Sequence, residues 1–241
     1  MTLAFDALDA PASPLAWLDP RWKLAALLPA ILVAAALRTW PMILTAALAT
    51  GLLLALARLP WRLLATRFAA LGVLLLPFLI VLPLTQGRAG WWAGAEVAGR
   101  AFAVFGLGLI LIATSSFSRT MQAAEALGLP RLLGHLTLLS YRYVFVLADE
   151  FARLRIALRL RGFRNRAGMH SYRTIGHVTG TLLVRGAAQA ERVAQAMRCR
   201  GFDGRFRSLH DFRTRRADLL FFVCVIAVAT GLLAADITGR W

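Results

Sequence analysis

The chain has 241 residues, 59% of them hydrophobic and 17% charged, with a mean hydropathy of +0.64. Soluble domains carry about 25% charged residues, so the composition excludes an ordinary soluble enzyme. The 28 Lys and Arg stand against 12 Asp and Glu, a net charge of +16, and Lys23 is the only lysine. With no Gly-Lys pair there is no phosphate-binding loop of the GK[ST] type. Cys199 and Cys224, without a CxxC, outline neither a zinc site nor a disulfide framework.

Residues 1–20 read as an N-terminal cytoplasmic segment. They are acidic and contain Pro (Asp6, Asp9, Pro11, Pro14, Asp19), unlike a cleavable signal peptide. Apolar runs follow at Leu24–Leu37, Trp40–Ala57, Phe68–Leu84 and Ala101–Phe117, with a last one at Leu219–Ala234. A bilayer core of about 30 Å takes roughly 20 helical residues, which four of these meet once their flanks are added. Leu24–Leu37 is shorter and contains Pro29. It reads either as a tilted span or as a re-entrant hairpin with the next run, turning at Arg38-Thr39-Trp40-Pro41.

Lys and Arg in short loops set orientation. Arg21 and Lys23 precede the first run, Arg58, Arg62 and Arg67 join the second to the third, and Arg88 is the sole base in Thr85–Ala95. Alternation then places the N-terminus in the cytoplasm and the C-terminus outside, in the inner (plasma) membrane. The expected fold is an all-α polytopic membrane protein with about five transmembrane helices. Its division is 1–20, 21–117 for the first four spans, 118–216 for a cytoplasmic insert, and 217–241 for the last span and tail.

The insert, Ser118–Ala217, holds 19 Arg and 6 acids. It reads as a platform of three amphipathic helices: Arg119–Leu127, stopped by Gly128-Leu129-Pro130; Arg131–Arg161, ending at Gly162; and about Ser171–Arg200, ending at Gly201. Leu132, Leu136, Leu139, Tyr143, Leu147, Phe151, Leu154 and Leu158 recur at the spacing of one helical face.

The two Gly stops form an internal repeat. Ala157-Leu158-Arg159-Leu160-Arg161-Gly162-Phe163 returns, 39 residues on, as Ala196-Met197-Arg198-Cys199-Arg200-Gly201-Phe202, and the match reaches back from Arg153 to Arg192. Each copy sets Arg, Ala and Arg at i, i+4 and i+8 on one helical face. The last Arg stands where free carbonyls favour a cation. Its planar fork suits a carboxylate, and Ala lets another surface approach. Arg followed by Gly is also ordinary capping chemistry. The duplication in one cytoplasmic appendage favours paired docking.

These two ends resemble the paired Ala-Arg-Gly signatures of the transmembrane T component of energy-coupling-factor (ECF) ABC transporters, and most of the chain resembles that family. Similarity is greatest to the cobalt/nickel CbiQ/NikQ branch, through Ala126-Leu127-Gly128-Leu129-Pro130, Tyr141–Glu150, Ala190–Met197 and Arg200-Gly201-Phe202-Asp203-Gly204. Leu160 and Cys199 replace the family Ala before Arg-Gly. The resemblance implies that the coupling helices bind two ATPase subunits, or an ATPase dimer, through Ala157, Arg159, Arg161, Gly162, Ala196, Arg198, Arg200 and Gly201. It implies that the membrane helices hold a separate substrate-binding membrane subunit carrying the metal site, in an importer for cobalt or nickel. No catalytic residue, cofactor or metal site is then expected in this chain.

His135, His170, His177 and His210 all lie in the insert. His170 and His177 stand about 10 Å apart along a helix, too far for one ion. Arg100 and Asp218 at span ends read as snorkelling side chains. Other function classes fit parts of the sequence. Nucleic-acid binding would use the Arg cluster, but positive-inside topology and anionic lipid also call for one, so no nucleic acid is expected. A membrane-embedded enzyme would want intramembrane Asp, Glu or His, which the apolar runs lack. A permease subunit of another ABC-type transporter, or a basic membrane-anchored RNA- or lipid-binding protein, completes the field.

Overall fold

The computed structural model describes residues 14–163, 168–202 and 214–238. Those residues contain a short 3-10 turn, Pro14–Trp17, and eight α-helices: α1 Pro20–Ala36, α2 Trp40–Ala57, α3 Trp61–Gln86, α4 Arg88–Ala113, α5 Phe117–Ala126, α6 Arg131–Leu160, α7 Met169–Cys199 and α8 Arg216–Thr238. The protein is an all-α polytopic membrane protein. Four helices, α2, α3, α4 and α8, are long and apolar enough to cross a membrane.

Two compact units divide the chain, Met1–Leu129 with Asp211–Trp241, and Pro130–His210. In the first, α1 packs along α8 and also meets α4 and α5, while α4 packs on α2 and α3. Small residues let these helices approach. A Cβ on Gly99 would lie 2.8 Å from Ile43 Cγ2, and one on Gly106 would lie 2.6 Å from Thr50 Cγ2. The core between them is Leu27, Ala34, Leu37, Leu54, Leu107 and Ile110. Phe68 of α3 stacks on Phe102 of α4 at 4.9 Å. An apolar cavity of about 140 Å³ among α1, α2, α4 and α8 is lined by Ala30, Ala46, Thr50, Cys224 and Ala229, among others.

The first apolar run lies inside α1, whose ends are each held by α8. Asp218 Oδ1 accepts from Asp19 N–H at 2.9 Å at one end. Asp236 Oδ1 accepts from Arg38 N–H at 3.1 Å and Thr39 N–H at 2.8 Å at the other. Helix α1 therefore runs the length of α8 and does not fold back on α2. Asp19 caps it, accepting from Arg21 N–H at 3.0 Å, and Pro20 opens it.

Three boundaries differ from the sequence expectation. The connection expected over Thr85–Ala95 is helical except at Gly87, whose φ of +60° joins α3 to α4 in one residue; Trp91 and Trp92 therefore ride on α4, with Trp92 5.9 Å from Trp40. The fourth span begins at Arg88, so Glu96 and Arg100 lie within α4, and Asp218 and Asp236 lie within α8. The expectation of spanning helices free of acids is thus corrected: helices outrun the apolar runs by one or more turns. Finally, α5, grouped with the insert 118–216 in the sequence, packs on α1 with Ala123 buried and falls in the compact unit of Met1–Leu129 with Asp211–Trp241.

The second unit contains α6 and α7, a long helical pair. Gly186 lets Leu147 approach, and Glu150 of α6 accepts a hydrogen bond from Arg185 of α7. Along α6, Leu139, Tyr143, Leu147, Leu154 and Leu158 are half-buried, whereas Leu132, Leu136 and Phe151 are exposed.

Candidate docking surface

The repeated ends of α6 and α7 fold into the same cap. At α6, Arg161 is the C-cap and its N–H reaches Ala157 O at 3.2 Å; Gly162 N–H reaches Arg159 O at 3.0 Å and Phe163 N–H reaches Leu158 O at 3.1 Å. At α7, Arg200 N–H reaches Ala196 O at 3.2 Å, Gly201 N–H reaches Arg198 O at 3.0 Å and Phe202 N–H reaches Met197 O at 3.1 Å. This is the Schellman pattern twice over, each with its apolar pair across the turn, Leu158 with Phe163 and Met197 with Phe202.

Gly162 and Gly201 adopt φ of +76° and +75°. A Cβ would meet nothing within 4 Å at either position. Glycine is therefore required there for its left-handed backbone and not for space. The geometry shows the capping role of the Gly directly, but a Schellman turn makes no demand for arginine before it.

All eight docking candidates, Ala157, Arg159, Arg161, Gly162, Ala196, Arg198, Arg200 and Gly201, are exposed. Neither the Arg161 nor the Arg200 guanidinium has a hydrogen-bond or ion-pair partner among the described residues. The arginines two turns back on the same face are engaged. Arg153 Nε lies 3.2 Å from Glu150, and Arg192 donates to Gln189 at 2.8 Å. Glu150 and Gln189 are themselves 39 residues apart, so the duplication reaches one turn further back than the Arg153–Arg192 match. Extending the same offset along the sequence would have found them.

Arg159 lines a groove of about 470 Å³ between α6 and α7, with Arg155, Phe151, Leu158, Ile175 and Val178. The two caps lie on opposite sides of the Glu150–Arg185 contact, about 17 Å and about 23 Å from it along their helices at 1.5 Å per residue. Glu150 is held below its ordinary value of 4.5, chiefly by the Arg185 hydrogen bond, with Arg153 adding to it.

Among the described residues no group of His, Cys, Asp or Glu could hold a metal ion. His170 and His177 are exposed on α7, and His210 lies outside the described residues. Arg100 stands in the middle of α4, not at the start of a span; its Nε is buried without a hydrogen-bond partner. A polar group also gathers at the starts of α1 and α8. The signal available there was the chain's single lysine.

Residues 11–211 match the family CbiQ, described as cobalt transport protein. An uncharacterized protein of Methanocaldococcus jannaschii is 23% identical over 123 residues, 51% of this chain and 42% of that one. A second uncharacterized protein of the same organism is 24% identical over 127 residues, 52% of this chain and 47% of that one. The matched stretch thus spans less than half the length of either relative.

Proposed function

The chain belongs to the CbiQ family of cobalt transport proteins, and from that premise we propose that it is the transmembrane coupling subunit of an ATP-driven ECF-type importer for cobalt or nickel. Arg161 and Arg200 each enter an acidic groove on one of two ATPase subunits. The membrane helices hold a separate substrate-binding subunit that carries the metal. The observation that supports this reading is the duplication. Two similar helix ends present an arginine with an unpaired guanidinium in the same backbone frame, and two like ends suit two like receptors.

In this reading α1 is a fifth span, since it runs the length of α8, and 17 helical residues are just enough for a bilayer core. Arg58, Arg62 and Arg67 and both caps are at the cytoplasmic side and the C-terminus is outside. ATP hydrolysis belongs to the partner. The test is co-isolation of the ATPase with the tagged chain, together with metal uptake. The parent chain retains the ATPase, and the double change Arg161→Ala with Arg200→Ala loses both binding and uptake while still inserting in the membrane. Undiminished binding by the double variant would reduce the repeat to capping.

A further inference from the structure

The start of α1 gathers three pieces of chain that are far apart in sequence. Lys23 is 1% exposed, an unusual place for the only lysine of a protein otherwise supplied with arginine. Its Nζ donates to Thr114 O at 3.1 Å, Ser115 Oγ at 3.0 Å and Thr114 Oγ1 at 3.5 Å. An ammonium has three donors, so its full capacity goes to the link between α4 and α5. Helix α5 then leads through Gly128-Leu129-Pro130 into α6.

The return passage is held at the same place. Asp218, also 1% exposed, accepts from Asp19 N–H at 2.9 Å and from Arg215 N–H at 2.7 Å. Trp22 Nε1 donates to Thr214 Oγ1 at 3.3 Å, and its ring meets Phe222 at 5.2 Å. The segment that leads into α5 and the segment that opens α8 are therefore both fastened to one turn of α1.

Buried charges are expensive unless they are paired and hydrogen-bonded, and an apolar joint would have served to pack three helices. A charged node is directional, and it fixes which backbone groups meet. We infer that Lys23 and Asp218 form the mechanical joint that carries motion of the coupling helices into the membrane helices. Without it, the segments leading into α5 and α8 would lose their polar tie to α1, and displacement passed along them would be absorbed before reaching α1 and α4. Both residues are positioning residues, touching neither metal nor nucleotide. The inference rests on the coupling reading above.

The roles differ in weight. Lys23→Met removes all three bonds, and Asp218→Asn weakens two backbone contacts. Asp19→Asn keeps an oxygen for Arg21 N–H, and the other Asp19 oxygen has no hydrogen bond to lose. The experiment reconstitutes the whole transporter in vesicles and reads ATPase co-isolation, ATP hydrolysis and uptake of cobalt or nickel ions per ATP. Lys23→Met retains the ATPase and its hydrolysis, but uptake per ATP falls at least tenfold. Asp218→Asn shows an intermediate loss, Asp19→Asn is near the parent, and Lys23→Arg recovers much of the ratio. Parental uptake per ATP in both Lys23→Met and Asp218→Asn overturns the joint while leaving the coupling reading standing. Loss of assembly in Lys23→Met and Lys23→Arg alike marks a folding role and also overturns it. A parent chain that retains no ATPase removes the coupling reading and the joint with it.

Discussion

Asp218 and Asp236 stand at opposite ends of α8, and each holds the matching end of α1. Along an α-helix they are about 27 Å apart, close to the thickness of a hydrocarbon core. At the far end Asp236 Oδ1 receives the N–H groups of Arg38 and Thr39 and the Thr39 hydroxyl at 2.5 Å. These close the break between α1 and α2, where backbone groups would otherwise be unpaired. Asp236→Ala should cost about 2–4 kcal/mol by stranding these donors, and Asp236→Asn less, since one amide oxygen can still accept. Thermal unfolding in detergent checks this. An unchanged midpoint for Asp236→Ala would show that the clamp is not holding the helices together.

The close approach of α2 and α4 gives a second prediction. Thr50 Oγ1 bonds Ala46 O at 2.9 Å, which fixes its rotamer and leaves its methyl 2.6 Å from a Cβ on Gly106. Gly106→Ala should therefore push the helices apart and cost about 1–3 kcal/mol. A Cβ on Gly108, two residues on and about 200° round the helix, meets nothing within 4 Å. Gly108→Ala should be neutral, or stabilising by up to about 1 kcal/mol from helix propensity. The pair of midpoints, and not either alone, tests the packing.

Much of this arrangement was legible in the sequence because membrane helices advertise themselves by length and hydropathy. The Gly stops at 128, 162 and 201 marked helix ends correctly, since positive φ leaves few residues but Gly. What hydropathy misjudged was extent. Arg88–Arg100 is only moderately apolar, yet it is helical because Gly90 lets the first turn of α4 sit against Leu82 and Pro83. The association of α5 with α1 was hidden too, because a short amphipathic helix does not say which neighbour its apolar face will meet. The duplicated Arg-Gly helix ends were readable as a repeat, and the polar group around Lys23 was not. Lys23 bonds Thr114 and Ser115 across about 90 positions, and Asp218 bonds Asp19 N–H across 199, with no shared spacing between them.

The contact between α6 and α7 should depend on pH. Arg185 holds the Glu150 carboxyl below its ordinary 4.5. A lowered folded value means that the stabilisation is fully present above the unfolded pKa and is lost as pH falls through the folded one. Amide exchange around Leu147–Glu150 and Arg185–Gly186 should therefore be slow at pH 7 and should speed up below about pH 4.5. In Glu150→Gln the local exchange should be faster at pH 7 and should lose that acid dependence. Acid-dependent opening that persists in Glu150→Gln would assign it to another group.

The last prediction separates docking from capping at the two arginines. Gly162→Ala and Gly201→Ala should each destabilise their helix end by about 1–2 kcal/mol, the cost of left-handed backbone for a residue with a Cβ. Gly→Asn at either position should be milder, because Asn tolerates that conformation. If the arginines dock, the Asn variants keep the ATPase, since the cap and the guanidinium both remain. Arg161→Ala and Arg200→Ala leave the cap intact, because its hydrogen bonds are all backbone. Each should nonetheless weaken ATPase binding by about 2–5 kcal/mol, the cost of leaving a buried partner charge unpaired. Arg→Lys should restore only part of this, since an ammonium cannot make the two-pronged contact with a carboxylate. Arg159 and Arg198 point about 200° away around the helix, and Arg159 lines the α6–α7 groove; their Ala variants should bind far better than those at Arg161 and Arg200. Titration of the purified ATPase against each variant measures all of these. Weakened binding at Arg159 and Arg198 with parental binding at Arg161 and Arg200 would place the docking face on the other side of the helices. Equal binding by all four Ala variants, with loss only in the Gly→Ala pair, would make the repeat a structural cap and nothing more.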